Sequence, residues 1–194
     1  MLGFRGWHER GYLPHRDDPG LTQFVTFRLR DSIPSSLRSE WTALLQIEKD
    51  EERRAQMEAL LDKGGGECLL LRPEIGILVD SVLRFYHGKR YDMRAWTVMP
   101  NHVHALFTVA NIPMSVIVAD WKEYTAREAN KILGRRGHFW AESGWDTYMR
   151  DAAHELNVRH YIEGNPVKAQ LVCAAREWPF GSARFRDEQG TLHL

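Results

Sequence analysis

The apolar positions of the chain fall into two rhythms, and their succession predicts an α+β fold. In Gln23–Leu29, "QFVTFRL", Val25, Phe27 and Leu29 alternate with Phe24, Thr26 and Arg28. A period of two carried by β-branched and aromatic residues predicts a strand. From Pro34-Ser35-Ser36 the rhythm changes. Trp41, Leu44, Leu45 and Ile47, then Met57, Leu60 and Leu61, predict one long helical segment, stopped by Gly64-Gly65-Gly66. Arg72–Gly88 predicts a second helix, with Pro73 in its first turn, Ile75, Val79, Val82 and Leu83 as its stripe and Gly88 as its stop. Tyr91–Met99 and His102–Val109 alternate again, and Pro100-Asn101 is a short turn between them, so an antiparallel hairpin is expected. A helix after Pro113 ends at Gly134. A short strand is expected within Gly137–Met149. Asp151 then caps a last helix that Gly164-Asn165-Pro166 should end. From about Gln170 the tail is mixed, with Trp178 and Phe180 expected on the core. This order predicts a mainly antiparallel sheet with helices packed on one face. No repeat or interdomain linker interrupts it, so residues 1–194 read as a single domain with a C-terminal tail from about 170.

Composition narrows the class. The chain has 194 residues, enough for a core without staples. No apolar run approaches the roughly 18 residues of a membrane span, and "MLGFRGWHERGYLPH" is not a secretory signal. Cys68 and Cys173 are the only cysteines and form no CxxC pair, which argues against a disulfide framework or a thiolate zinc site. A cytoplasmic location is the default. Lys and Arg number 26, as do Asp and Glu, so the net charge is zero, which does not favour phosphate binding. The charge is uneven, however. The stretch from Asp31 to Asp80 holds most of the acid, including Glu48, Asp50, Glu51 and Glu52, while the flanks lean basic and are mostly arginine. Charge alone fits an ordinary solvated surface equally well.

Two pairs of residues carry candidate chemistry. His102 and His104 are two apart on a strand, so both side chains leave one face, about 7 Å apart by strand rise, and can share a metal ion. They can equally be two polar residues on a solvated face. Tyr161 and Asn165 are four apart in "RHYIEGNP" and lie on one helix face. Tyr161 also reads as a packing residue, and Asn165 as a helix C-cap before Pro166. Taken together, imidazole and amide ligands leave open positions on a divalent ion, which can polarise a phosphodiester. A tyrosine beside it can attack the phosphorus and form a covalent phosphotyrosine. Tyr12, Tyr86, Tyr91, Tyr124 and Tyr148 lack such a partner at i+4, and Tyr148 is the one rival by position.

"AWTVMPNHVHALF" resembles the His-hydrophobic-His strand of the HUH endonuclease superfamily, in its single-tyrosine transposase branch, and "YIEGNPVKAQLV" resembles that branch's tyrosine helix. With "RGYLPH", "FVTFRLRDSIP", "DWKEYTAREANKILGRRGHFWAES" and "DTYMRDAAH", the chain from about Trp7 to Trp178 is similar to the REP-associated tyrosine transposases. The resemblance implies a ferredoxin-like, RRM-like sandwich. It implies Mg²⁺ or Mn²⁺ held by His102 and His104, with Asn165 at the position of a third ligand. It implies attack by Tyr161 on single-stranded DNA beside a palindromic hairpin, leaving a 5′-phosphotyrosine and a free 3′-OH. Partners would be single-stranded or hairpin DNA, the protein a monomer or homodimer, and its place the bacterial cytoplasm at the nucleoid. Gln170 departs from the pattern, where the family usually has Gly, which would permit positive φ; Trp145 stands where Tyr or Phe is usual. Candidate DNA contacts are Arg90, Arg94, Arg135, Arg136, Arg150, Arg159 and Lys168, with Trp7, Tyr12 and Trp140 as stacking candidates. The alternative reading is a catalytically silent hairpin DNA- or RNA-binding module on the same scaffold. An unrelated His-x-His hydrolase would need Asp or His ligands that "HVHALFTVAN" does not supply.

Overall fold

A computed structural model describes residues 3–10, 13–47 and 49–194, without the side chains of residues 7–10, 13–15, 50, 51 and 143. Two short strands, β1 (Gly6–Arg10) and β2 (Leu13–Asp17), pair antiparallel as a ribbon of their own. Their sequences, "GWHER" and "LPHRD", carry no apolar alternation, and no strand is predicted there. The main sheet has four strands: β3 (Thr22–Leu29), β4 (Tyr91–Val98), β5 (His102–Val109) and β6 (Trp140–Tyr148). Its order is β4-β5-β3-β6 and every neighbour is antiparallel. The first strand sits inside and the last at an edge, which is the ferredoxin-like, split β-α-β arrangement. The α+β sandwich and the antiparallel sheet read from the sequence are borne out.

The sheet has one apolar face and one mixed face, as β5 makes plain. Val103, Ala105, Phe107 and Val109 join Val25, Phe27 and Leu29 of β3 in the main core. Over them lie α3 (Pro73–Phe85), through Ile75, Val79 and Leu83, and α4 (Met114–Ile132), through Ile117, Trp121 and Ala129. Trp178 and Phe180 of the tail are buried in the core as expected, and they also cover the β4 edge: the Phe180 carbonyl accepts from Val98 N at 2.8 Å, and Trp178 Nε1 donates to Val98 O at 3.1 Å. Among the described residues no helix is long and apolar enough to cross a membrane.

Three expectations are corrected. The long helix after Pro34 is two, α1 (Arg38–Leu44) and α2 (Asp50–Asp62). In one straight helix Trp41 and Leu60 would stand about 28 Å apart. Folded back, Trp41 and Leu44 meet Met57, Leu60, Leu61 and Trp145 in one cluster, and Arg53 donates to Ile47 O across the turn at 2.6 Å. Secondly, helices on one face holds for α3 and α4 but not for α5 (Ala152–Lys168), which lies on the opposite face, where Ile162 packs with Phe24, Ala95, Leu106 and Met149. Enough apolar residues on the mixed face remain to seat a helix.

Thirdly, α5 starts as predicted, with Asp151 Oδ1 accepting from His154 N at 2.7 Å, but runs a turn past its expected stop. Pro166 lies inside it, and Asn165 is not the C-cap, because its carbonyl accepts from Ala169 N at 2.9 Å. The helix ends at Ala169, and Gln170 then takes φ 58°. Glycine is at home at such a left-handed C-terminal position and glutamine is not. Gln170→Gly is therefore expected to stabilise the protein by about 0.5–1 kcal/mol in urea denaturation; an unchanged or lower midpoint would contradict the assignment of strain to this residue.

Candidate functional site

The mixed face of the sheet carries the paired histidines. In the β3–β5 register Thr26 lies opposite His104 and Arg28 opposite His102. Both imidazoles are fully buried, their ring centres are 4.7 Å apart, and their Nε2 atoms approach to 3.1 Å. The rings lean together well inside the backbone spacing of i and i+2. Their outer nitrogens are held from behind. Asn101, in the hairpin turn, donates from Nδ2 to Leu61 O at 3.2 Å and Gly65 O at 3.0 Å. Its Oδ1 therefore faces His102 Nδ1, at 2.7 Å, and accepts that proton. His102 Nε2 is left with a free lone pair. Thr26 Oγ1 meets His104 Nδ1 at 2.7 Å, and the hydroxyl can serve either tautomer. Burial pushes the His102 imidazole down to about 3, with Lys168 adding to it. His104 falls well below the ordinary histidine value through burial, His102 and Lys168. Both rings are thus neutral at physiological pH, the form that binds metals.

Helix α5 brings Tyr161 and Asn165 to the same face. The Tyr161 ring centre is 5.6 Å from that of His104 and 6.3 Å from that of Phe24. Asn165 Nδ2 donates to the Tyr161 hydroxyl at 3.1 Å, while Asn165 Oδ1 is buried with no partner. The four side chains singled out in the sequence are gathered on one side of the sheet within a single chain. Tyr148, the rival, pairs with Gln23 and so falls on the Phe107 face, away from the histidines.

Helix α2 adds two residues from the acidic stretch between Asp31 and Asp80, neither of them a candidate on sequence alone. Glu58 and Asp62 stand four apart, one turn of helix. Glu58 is buried, and burial above all pushes its carboxyl up to about 7. Burial first, then Glu58, drives the Tyr161 phenol far above its ordinary value. Asp62 Oδ1 lies 4.0 Å from His102 Nε2 without a hydrogen bond, and Oδ2 pairs with Lys168 Nζ at 3.0 Å. The Lys168 ammonium sits 5.9 Å from the Tyr161 ring centre. The only hint in the sequence was the i, i+4 spacing of two acids beside the Met57, Leu60 and Leu61 stripe, which says nothing of what they face. Among the described residues no three His, Cys, Asp or Glu side chains gather as a metal cage. A cation here would need the amide as well. A cavity of about 270 Å³ opens beside the pair, lined by Asp62, His102, Cys68, Pro100, Ala169 and Leu171 among others.

The candidate DNA-binding cations scatter. Lys168 is at the site. Arg94 and Arg159 line one groove with Arg186, between β4, α5 and the tail. Arg186 went unnoticed in the sequence, and its guanidinium is tied to Glu163 at 2.6 Å. Arg90 pairs with Asp120 at 2.7 Å at the far end of the hairpin, and Arg135 with Glu67 at 3.4 Å. Arg136 and Arg150 are exposed. Trp140 is buried and donates to Thr125 at 2.9 Å, so it does not offer a stacking surface. Tyr12 and the side chain of Trp7 lie outside the described residues.

The fold and part of the sequence have counterparts among known proteins. Residues 78–165, from α3 to Asn165, match the family model of IS200-like transposases. Over 113 residues the chain is 23% identical to the REP-associated tyrosine transposase of Escherichia coli (strain K12), spanning 58% of this chain and 67% of that protein. Its fold is similar to that of a solved REP-associated tyrosine transposase bound to a REP hairpin. The TM-score is 0.54 at 19% identity, over 95% of this chain and 85% of the other. The resemblance read from the sequence is borne out.

The buried imidazoles set a pH dependence in metal-free protein. Their folded-state values lie below the unfolded value of 6.5, reaching about 3 for His102. Below pH 6.5 the unfolded chain takes up protons that the folded one refuses, so the stability present above that pH is lost as pH falls. Glu58 acts oppositely between 4.5 and about 7, since its raised value favours the folded state at low pH. The histidine term should approach about 1.4 kcal/mol per pH unit for each ring. Urea midpoints of wild type and His102→Gln, followed from pH 7.5 to 4, should converge as the pH falls. Parallel curves would show that His102 is not held neutral.

Proposed function

We propose that this protein is a metal-dependent endonuclease and transposase that cleaves and rejoins single-stranded DNA beside hairpin sequences through a 5′-phosphotyrosine on Tyr161. The observation that carries the reading is the gathering of His102, His104, Tyr161 and Asn165 on one face of the sheet. The match to IS200-like transposases and the likeness to REP-associated tyrosine transposases, one of them solved with a REP hairpin, support it and point to hairpin DNA as the partner.

His102, His104 and Asn165 would hold Mg²⁺ or Mn²⁺. The residues fit: neighbouring ligands around an octahedral ion with bonds of about 2.1 Å lie about 3 Å apart, and the two Nε2 atoms are separated by 3.1 Å. The unpartnered Asn165 Oδ1 is a neutral oxygen donor beside them. When bound, such an ion polarises the phosphodiester and stabilises charge on its oxygens. The chain supplies the rest. Asn101 and Thr26 fix the imidazoles, and Asn165 Nδ2 orients the Tyr161 hydroxyl. Lys168 places a cation 5.9 Å from the Tyr161 ring centre, and Arg94 and Arg159 are basic positions on the same helix-bearing side, where phosphates of a strand can lie.

Incubation with labelled hairpin oligonucleotides carrying single-stranded flanks, in Mg²⁺ or Mn²⁺, should give a covalent protein–DNA adduct on a denaturing gel. Tyr161→Phe should abolish it, His102→Ala should reduce it by at least about 100-fold, and chelation should remove it. An adduct formed by Tyr161→Phe would move the nucleophile elsewhere. Tight, metal-independent binding of every hairpin without an adduct would favour the silent binding module instead.

A further inference from the structure

One arginine on the histidine-bearing face is buried without a counter-charge. The β3–β5 register sets Arg28 opposite His102 and two residues from Thr26, the partner of His104. Only 9% of it is exposed, and among the described residues it meets no carboxylate. Burial lowers its guanidinium below the ordinary value, and no charged neighbour counters that. Arginine is seldom buried this far unless paired, and an unpaired charge out of water is costly. The guanidinium is nevertheless held in place. Nη1 donates to Ser32 Oγ at 3.1 Å and to Leu29 O at 3.5 Å, and Ser32 Oγ donates to Leu29 O at 2.8 Å. Trp41 of α1 covers it, with Cζ 4.6 Å from the ring centre. Both of its hydrogen bonds leave from Nη1, and Nε is buried with no acceptor. The Nε–Nη2 edge, a fork that matches two oxygens of one phosphate, is thus unused. A second donor on this face is in the same condition. Trp145 lies opposite Thr26 in the β3–β6 pairing and is 6% exposed. Its ring centre is 6.2 Å from that of Trp41, and its Nε1 has no partner. Two buried donors, both against the same indole, therefore await an acceptor that the described residues do not supply.

We propose that Arg28 is a phosphate seat: its Nε–Nη2 edge grips a backbone phosphate of the DNA strand next to the scissile one, with Trp145 Nε1 a further donor to the same nucleotide. This rests on the reading of that face as a DNA-cleaving site. Paired strands lie about 4.8 Å apart, so the Arg28 and His102 backbones are one strand spacing from each other, and a strand crossing the histidines passes the arginine. The charge answers the charge: an oxyanion supplies the acceptors and the counter-ion that the folded chain withholds. Arg28 is then a positioning residue. It stays cationic at every working pH, exchanges no proton, and by fixing the neighbouring phosphate holds the scissile bond in register with Tyr161. Inorganic phosphate carries the same oxygens, and the test separates it from the strand.

The test uses the full chain in EDTA, so that binding is read without cleavage, and a hairpin oligonucleotide with a single-stranded flank. Arg28→Met should weaken binding about 10-fold. It should also lower the slope of log K against log salt by about 0.7, the share of one phosphate on a single strand. Its urea midpoint should hold or rise, because an apolar side chain replaces an unpaired buried charge. A lower midpoint with affinity and slope unchanged would mark a merely structural residue and overturn the proposal. Flank phosphates are then replaced one at a time by neutral methylphosphonates. One position should cost wild type about 10-fold and Arg28→Met less than about twofold; equal losses in both proteins at every position would overturn the proposal. If Arg28→Met does not fold, wild type is read directly. The Arg28 Nε–H resonance in ¹H–¹⁵N spectra, identified by its disappearance in Arg28→Lys, should move with the oligonucleotide and stay still with inorganic phosphate at the same concentration. A resonance unmoved by DNA, or moved only by inorganic phosphate, would overturn the seat for the strand. Adding Mg²⁺ separates this from the cleavage chemistry. Phosphate dependence through Arg28 without any adduct would keep the seat and reject the phosphotyrosine. An adduct formed equally fast by Arg28→Met, with the wild-type salt slope, would reject the seat alone.

Discussion

The central pairing of β3 with β5 is the constraint on which the rest depends. Because a strand alternates its faces with period two, the single register that buries Val103, Ala105 and Phe107 against Val25 and Phe27 also places His102 and His104 together on the other side, with Thr26 opposite His104. A slip of one residue would send the imidazoles into the apolar core. The core therefore enforces the site: the hydrophobic face selects the register, and the register determines which polar side chains meet.

Full burial of two imidazoles has a cost, and the neighbourhood is arranged around it. Neutral rings avoid charge in a dry site, the outer nitrogens find Asn101 and Thr26, and the Nε2 atoms meet each other at 3.1 Å. Asn101 ties the histidine turn to the end of α2 and the glycine stretch behind it through Leu61 O and Gly65 O. The same helix carries Glu58 to Tyr161 and Asp62 to Lys168 and His102. The insertion between β3 and α3 is thus part of the site rather than decoration on the fold. It sets an amide anchor, a buried carboxylate and a lysine-paired aspartate around the histidines and the tyrosine.

Much of this was legible in the sequence, for identifiable reasons. The hairpin could be read because Tyr91–Val98 and His102–Val109 alternate cleanly around Pro100-Asn101, and the two later helices because their stripes and caps agree. His102 with His104, and Tyr161 with Asn165, could be read because each pair sits at the period of its own element. What was hidden needs knowledge across elements. The break between α1 and α2 depends on Trp41 reaching Leu60 and Trp145, a contact no local period encodes. The end of α5 is hidden because Pro166 signals a stop, although the carbonyl of Asn165 accepts from Ala169 N and carries the helix on through Lys168. The positive φ at Gln170, by contrast, is the conformation that the glycine expected there from the resemblance would permit. Glu58 and Asp62 could not be told from surface acid, since their role lies wholly in what packs against them.

The central claim is that His102, His104 and Asn165 converge on one cation beside Tyr161. Crystals soaked in Mn²⁺ and measured for anomalous scattering test it most directly. The account predicts a single strong peak within about 2.3 Å of both Nε2 atoms and of Asn165 Oδ1. A peak elsewhere, or none between the two imidazoles at saturating Mn²⁺ and neutral pH, would contradict it.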